Sequence, residues 1–212
     1  MTTWSEIKQI VTAQAPDAIG SLIGTDGNPS QLAILAYLVC MKIAGQPHKF
    51  RSMVRLGSIA MNGSGSYDLA ALFPDMQVPI QFYDSSKAEI GYRSLPEFNV
   101  TVGGYILTVR GKTLLISGEP SGSTLSVPYF SNYMVLDEDL ATRKRMFEND
   151  GDNCTLYDDQ IPMLIAGIME HVNRREKELR PGQLSDFQQE IQNAILNDRA
   201  IERTMFDWRF LV

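Results

Sequence analysis

Thr3 followed by Glu6 has capping-box spacing, and Trp4, Ile7, Ile10 and Val11 recur on one helical face, which predicts an amphipathic helix over residues 4–15 closed by Pro16. After the turn-rich GSLIGTDGNPS, Asn28 and Pro29 supply an N-cap and a first-turn proline for a second helix running to Ala44, with Gly45 as its C-cap. That helix is apolar nearly all round, so it requires neighbours on more than one side. From Phe50 to Tyr133 the period changes. FRSMVRLGSI, QVPIQFYD, NVTVGGYILTVRG, KTLLISGE and TLSVPYFS are short, β-branched and aromatic, and they are separated by NGSGS, GG, RGK and EPSGS. The pattern predicts an antiparallel β region in which Arg110-Gly111-Lys112 forms a tight hairpin. Pro74, Pro79, Pro96, Pro120 and Pro128 mark turns or strand edges.

Beyond Leu136 the acidic DED and the basic RKR bracket a predicted short helix ending near Asn149. Asp158 or Asp159 then caps a helix to about Leu179, with Ile161, Leu164, Ile165, Ile168, Met169 and Val172 as its stripe. Pro181 and Gly182 break it, and a last helix from Leu184 toward Met205 aligns Leu184, Phe187, Ile191, Ala194 and Ile195. The order helix, helix, sheet, helices gives an α+β fold: a bundle of about four to five helices with an inserted antiparallel β region. Its segments are 1–48 (N-terminal bundle helices), 49–134 (β insertion), 135–182 (C-terminal bundle helices) and 183–212 (last helix and apolar tail).

At 212 residues, with 44% hydrophobic and 21% charged positions, the chain is long enough for a real core and too apolar for disorder. Net charge is −6 and uneven: residues 131–212 hold 10 basic groups against 16 acidic, which argues against gripping DNA. The longest apolar run, Leu32 to Met41, is about half a membrane span, and the opening MTTWSEIKQIV lacks the basic flank and apolar core of a signal peptide. Cys40 and Cys154 fit a reducing compartment, and their spacing leaves a disulfide between them open.

No catalytic, cofactor-binding or metal-binding residue is predicted. His48 and His171 belong to no HExxH, and no CxxC exists. The loop from Asp150 begins like a calcium loop, then has Thr155 and Ile161 where glycine and glutamate are needed. Gly57, Gly63 and Gly65 precede no GKS or GKT, and Ser66, Asp68 and His48 form a triad only on paper, without a GxSxG elbow. Tyr67, Phe73, Phe82, Tyr83, Tyr92, Phe98, Tyr105, Tyr129, Phe130 and Tyr133 crowd a region poor in Lys and Arg, as core packing or a protein interface requires and nucleic-acid stacking does not.

Four stretches carry a family likeness: TWSEIKQIVT, SYDLAALFPDMQVPIQFY, YILTVRGKTLLISGEPSGSTLSVPYFSNYMVLDED and YDDQIPMLIAGIMEHVNRREKEL. Together they span roughly residues 1–200, and the chain resembles the head-to-tail adaptor, or head completion, proteins of tailed bacteriophages. It departs from them at Pro128-Tyr129-Phe130, where a tyrosine pair is common, and at Ala70 to Pro74, where a shorter turn is usual. The resemblance implies a virion protein of the neck, made in the host cytoplasm, with about twelve copies ringed beneath the portal protein. It implies helices holding neighbouring subunits, a tail or tail-tube protein on the far side, and genomic DNA passing through without specific binding. Stopper and tail-tube roles stay open, as do a small non-virion interaction domain, a small hydrolase, and a single-chain state before assembly.

Two groups of residues are candidates for that work. Phe206, Trp208, Arg209, Phe210, Leu211 and Val212 are too apolar for a free terminus and read as a docking segment for the portal or a neighbour, with fold-back on the own bundle as the alternative. Asp137, Glu138, Asp139, Asp150, Asp152, Asp158 and Asp159 are candidate channel-facing acids, because an acidic wall does not retain a polyanion.

Overall fold

Thr3 opens α1 (Trp4–Gln14) with the full capping box, its side chain accepting from the Glu6 N–H while the Glu6 carboxylate accepts from the Thr3 N–H at 2.7 Å. The structure is a computed structural model that describes residues 1–16, 22, 30–100, 106–118, 122–172 and 185–205. The described residues divide into two compact units, residues 1–53 with 132–205 and residues 54–131. The chain has an α+β fold, and no described helix is long and apolar enough to cross a membrane.

In the first unit, α2 (Gln31–Ala44) is capped by Ser30, whose Oγ accepts from the Ala33 N–H at 3.1 Å. The cap thus sits two residues beyond the predicted Asn28, because Ser30 carries the acceptor one step before the apolar run. Gly45 closes α2 as predicted, in a right-handed conformation. α5 (Ile161–Val172) packs against α1, α2 and α6 (Asp186–Met205). Gly167 makes this possible: a Cβ there would collide with the Val39 side chain and stand 3.0 Å from the Phe187 ring. The described part of the α6 stripe is buried at Phe187, Ile191 and Ala194. Residues 173–184, which include the predicted end of α5 and the break at Pro181 and Gly182, lie outside the described residues.

The second unit holds two sheets and two short helices. β1 (Val54–Ala60), β7 (Thr124–Ser131) and β3 (Met76–Pro79) form one antiparallel sheet in the order β1-β7-β3. The other has the order β2-β6-β5-β4, from β2 (Ser66–Asp68), β6 (Thr113–Ser117), β5 (Ile106–Arg110) and β4 (Gly91–Tyr92). β5 and β6 make the predicted hairpin, with Gly111 at φ 62° where a left-handed residue is needed. Leu107, Leu114, Leu125 and Val127 lie at the centre of this unit's core.

Four expectations need correction. The predicted helix after Leu136 is a three-stranded ribbon, β10-β8-β9, from β8 (Val135–Leu136), β9 (Arg143–Lys144) and β10 (Asn153–Cys154). The buried Asp152 carboxylate accepts from the N–H groups of Glu148 and Asn149 and holds the segment in turns that no local propensity announces. The β region is not wholly antiparallel, since β4 runs parallel to β5. It also contains α3 (Leu69–Leu72) and α4 (Leu95–Val100), the first capped by Asp68 and the second preceded by a Ser94–Glu97 pair with capping-box spacing. Finally, Pro128 lies in the central strand β7, where the N–H it lacks would face the side of β3 and its carbonyl accepts from the Ile80 N–H at 2.8 Å.

Candidate functional site

The acidic residues are the first candidate site. Trp4 N–H bonds to the Asp152 carbonyl at 2.7 Å and Cys154 N–H to the Thr2 carbonyl at 2.9 Å, so the ribbon and the start of α1 are stitched together. That stitching gathers several acids. Asp150 pairs with Lys8 of α1 at 2.5 Å, Asp158 accepts from Thr2 at 3.3 Å, and Glu138 packs on Gly151. Glu138, Asp139, Asp150, Asp158 and Asp159 are exposed, and Asp137 is half-buried. The backbone N–H groups of Thr142 and Ala141 hold the Asp137 carboxyl below its ordinary value. Asp152 contradicts the channel-facing expectation, because it is fully buried and bonded to Lys144 at 3.0 Å. Burial opposes its ionisation, and the Asn149 and Glu148 N–H groups with Lys144 outweigh that and lower its pKa. It is a structural anchor. Asp158 and Asp159 do not begin α5 as predicted; Gln160 Oε1 instead accepts from the Tyr157 N–H and from Ser52 Oγ, and fixes the turn ahead of the helix.

The histidines have structural partners. His48 Nε2 lies 2.9 Å from Asp198 Oδ2, and Arg51 Nε donates to Asp198 Oδ1 at 3.1 Å. The three groups clamp the segment after α2 to the C-terminal half of α6. His171 Nε2 lies 2.9 Å from Lys42 Nζ. The paper triad is not assembled, since His48 is committed to Asp198 and Asp68 to the N–H groups of Ala70 and Ala71. Among the described residues no three His, Cys, Asp or Glu side chains group as a metal site. Cys40 and Cys154 are free and buried, not disulfide-bonded; burial raises both thiols, that of Cys154 to about 12, which leaves them unreactive.

Uncovered apolar surface is more distinctive. On α2, Ile34, Leu38 and Met41 are 40%, 43% and 40% exposed at helical spacing, opposite the buried Leu32, Ala36, Val39 and Ile43. The sequence pattern announced this helix as apolar all round, and one of its stripes is exposed. In the second unit β7 buries Leu125, Val127, Tyr129 and Ser131, so Pro128 and Phe130 point to the other face. Leu56 lies opposite Pro128, and both Val54 and Val78 lie opposite Phe130. With Leu56 at 52% and Val78 at 47% exposure, these five side chains form a charge-free outer face. Sequence reading missed this patch because the register that assembles it is set by pairing across 52 to 76 positions. The alternation within TLSVPYFS was the one available signal.

The predicted docking residues Phe206, Trp208, Arg209, Phe210, Leu211 and Val212 lie outside the described residues. No protein-family model matches the chain, and no curated protein matches it in sequence.

Proposed function

We propose that this chain is a non-enzymatic ring subunit of a tailed-phage neck, a head-to-tail adaptor that joins the portal protein to a tail or tail-tube protein. The observation that carries the reading is the uncovered stripe of Ile34, Leu38 and Met41 on a helix whose other side is core. An apolar stripe on α2 and an unrelated apolar sheet face are not copies of one self-complementary patch, and two unlike surfaces suit head-to-tail contacts that close into a ring of about twelve. In that ring the α2 stripe meets a neighbour, Phe206, Trp208, Arg209, Phe210, Leu211 and Val212 dock on the portal or a neighbour, and DNA passes without being gripped. Asp137, Glu138, Asp139, Asp150, Asp158 and Asp159 would line or rim the channel, with Lys8 partly neutralising Asp150.

The test is to mix the purified chain with the closed portal ring from the same genome and measure the mass of the product by sedimentation. A complex with about twelve copies per ring is expected. If the chain forms rings alone but ignores the portal, a stopper or tail-tube role replaces this reading. If it stays single and ignores the portal, the interaction-domain reading does.

A further inference from the structure

The loop between β1 and β2 holds the one Asn-Gly pair in the chain, Asn62-Gly63, and Asn62, Gly63 and Ser64 are all exposed. Two donors hold the asparagine's side-chain carbonyl: Asn62 Oδ1 accepts from the Ser64 N–H at 3.0 Å and from the Tyr67 hydroxyl at 3.1 Å. The same hydroxyl accepts from the Asn62 N–H at 2.8 Å, so Tyr67, whose ring lies in the core of the β unit, grips Asn62 at both its main chain and its side chain. Ser64 Oγ donates to the Ser66 carbonyl at 2.9 Å and keeps the turn narrow. Gly63 sits at φ 81° and has no side chain to crowd its nitrogen. An asparagine Cγ and the main-chain nitrogen of the next residue can close a five-membered ring, and closure passes through a tetrahedral anion whose charge lies on Oδ1. Two donors already aimed at that oxygen are what such an oxyanion requires, and their bonds strengthen as the charge develops.

We propose that Asn62 is a self-modification site, at which the folded β unit promotes deamidation of its own side chain and turns a neutral loop into an anionic one. The Gly63 N–H gives its proton to hydroxide, and the nitrogen bonds to Cγ while the π pair of the Cγ–Oδ1 bond moves onto Oδ1. Collapse of this anion breaks the Cγ–Nδ2 bond, and Nδ2 leaves as ammonia with a proton from water. A second water then opens the succinimide. Attack at Cγ breaks its bond to the Gly63 nitrogen and gives aspartate in the original backbone; attack at the main-chain carbonyl carbon gives isoaspartate, with the chain running through Cβ. The net change converts one amide and one water into one carboxylic acid and one ammonia, without oxidant or reductant. The aspartate product keeps the Ser64 and Tyr67 donors, now bonded to a full charge. Each of the other eight asparagines precedes a residue bulkier than glycine. The reaction needs no partner, so it stands apart from the ring.

The experiment holds the full-length chain at about pH 6 and about pH 8 and reads conversion at each asparagine by peptide mass mapping, with isoaspartate read by enzymatic methyl labelling. Asn62 is expected to convert first, and faster at the higher pH because the attacking nitrogen must lose its proton. Tyr67→Phe, checked for folding by circular dichroism, removes one donor to Oδ1 and is expected to slow conversion about fivefold or more. A role limited to holding the turn gives the opposite sign, since a looser turn lets the nitrogen and Cγ meet more often. The chain unfolded in guanidinium chloride loses both donors and is expected to convert Asn62 more slowly than the folded chain. The proposal is overturned if Asn62 converts no faster than the other asparagines, or if folded Tyr67→Phe or the unfolded chain converts at the rate of folded wild type or faster. If Tyr67→Phe fails to fold, the comparison with the unfolded chain decides.

Discussion

The helical unit buries Asp152 and Asp198 and the β unit buries Asp75, and Asp198 and Asp75 are held by different chemistry. In the helical unit Asp198 has no exposed side-chain surface and faces two nitrogen bases, His48 and Arg51, themselves almost wholly buried. In the β unit Asp75 accepts from the hydroxyls of Ser131 at 2.6 Å and Tyr129 at 2.9 Å, with the partly exposed Arg55 as its cation. The first is an ionic clamp that ties distant chain segments; the second is a hydroxyl cage within one sheet. The lesson is that the groups facing each carboxylate differ in kind. Loss of Asp198 removes the counter-charge of buried bases, whereas loss of Asp75 removes the acceptor of two neutral hydroxyls and of a cation that water can reach.

The largest expected effect is accordingly Asp198→Ala, at about 3–5 kcal/mol of stability. Asp75→Ala follows at about 2–3 kcal/mol, since bonds from neutral hydroxyls are worth less than those from charged groups and Arg55 can hydrate. Urea unfolding read from Trp4, which stacks on Phe147 at 4.4 Å, in a Trp208→Phe background reports the helical unit, and far-UV circular dichroism reports both. Equal losses for the two variants would erase the contrast.

Glycines sharpen the comparison at a smaller scale. A Cβ on Gly167 meets Val39 and Phe187, both fixed in the packed helices, so Gly167→Ala is expected to cost about 1–3 kcal/mol despite the better helix propensity of alanine. A Cβ on Gly57 meets the Phe73 ring at 2.5 Å and the buried Tyr129 ring at 3.1 Å; Phe73 is only half-buried and gives more readily than Val39 and Phe187, so Gly57→Ala is expected to cost less than Gly167→Ala. A Tm series on the two variants checks the order.

The smallest expected effect is acid sensitivity in the β unit. Burial raises the Asp75 pKa, but the Ser131, Arg55 and Tyr129 donors outweigh it and leave the carboxyl below its ordinary value. A group lowered on folding stabilises the protein fully above its unfolded pKa, about 3.9, and that contribution is lost as pH falls from there through the lowered value. Asp75→Asn is therefore expected to flatten the stability profile below about pH 4 relative to wild type, and a parallel profile would contradict the assignment.

What the sequence made legible was local. Thr3 with Glu6, Gly45 as a stop and Arg110-Gly111-Lys112 as a hairpin each need only neighbours a few positions away. Ser94 with Glu97 and Ser185 with Gln188 were equally local signals: Ser94 donates both its N–H and its hydroxyl to the Glu97 carboxylate, and Ser185 and Gln188 bond reciprocally; they were masked by Pro96 and by the start assigned to Leu184. Long-range contacts were not legible. Asp198 lies 147 positions from Arg51, and Asp152 held the ribbon in turns where charge patterning suggested a helix. Of the interaction surfaces, the α2 stripe was visible as an excess of apolar residues, while the sheet face required strand registers.

The proposed ring rests on the α2 stripe, and the most direct measurement is the copy number bound to the portal by wild type and by Leu38→Glu, read by native mass spectrometry. Leu38 is exposed and outside the core, so the variant is expected to fold. The account predicts about twelve wild-type copies per portal and loss of the filled ring for Leu38→Glu, with at most scattered single copies bound. A folded Leu38→Glu protein that still fills the portal ring would contradict it.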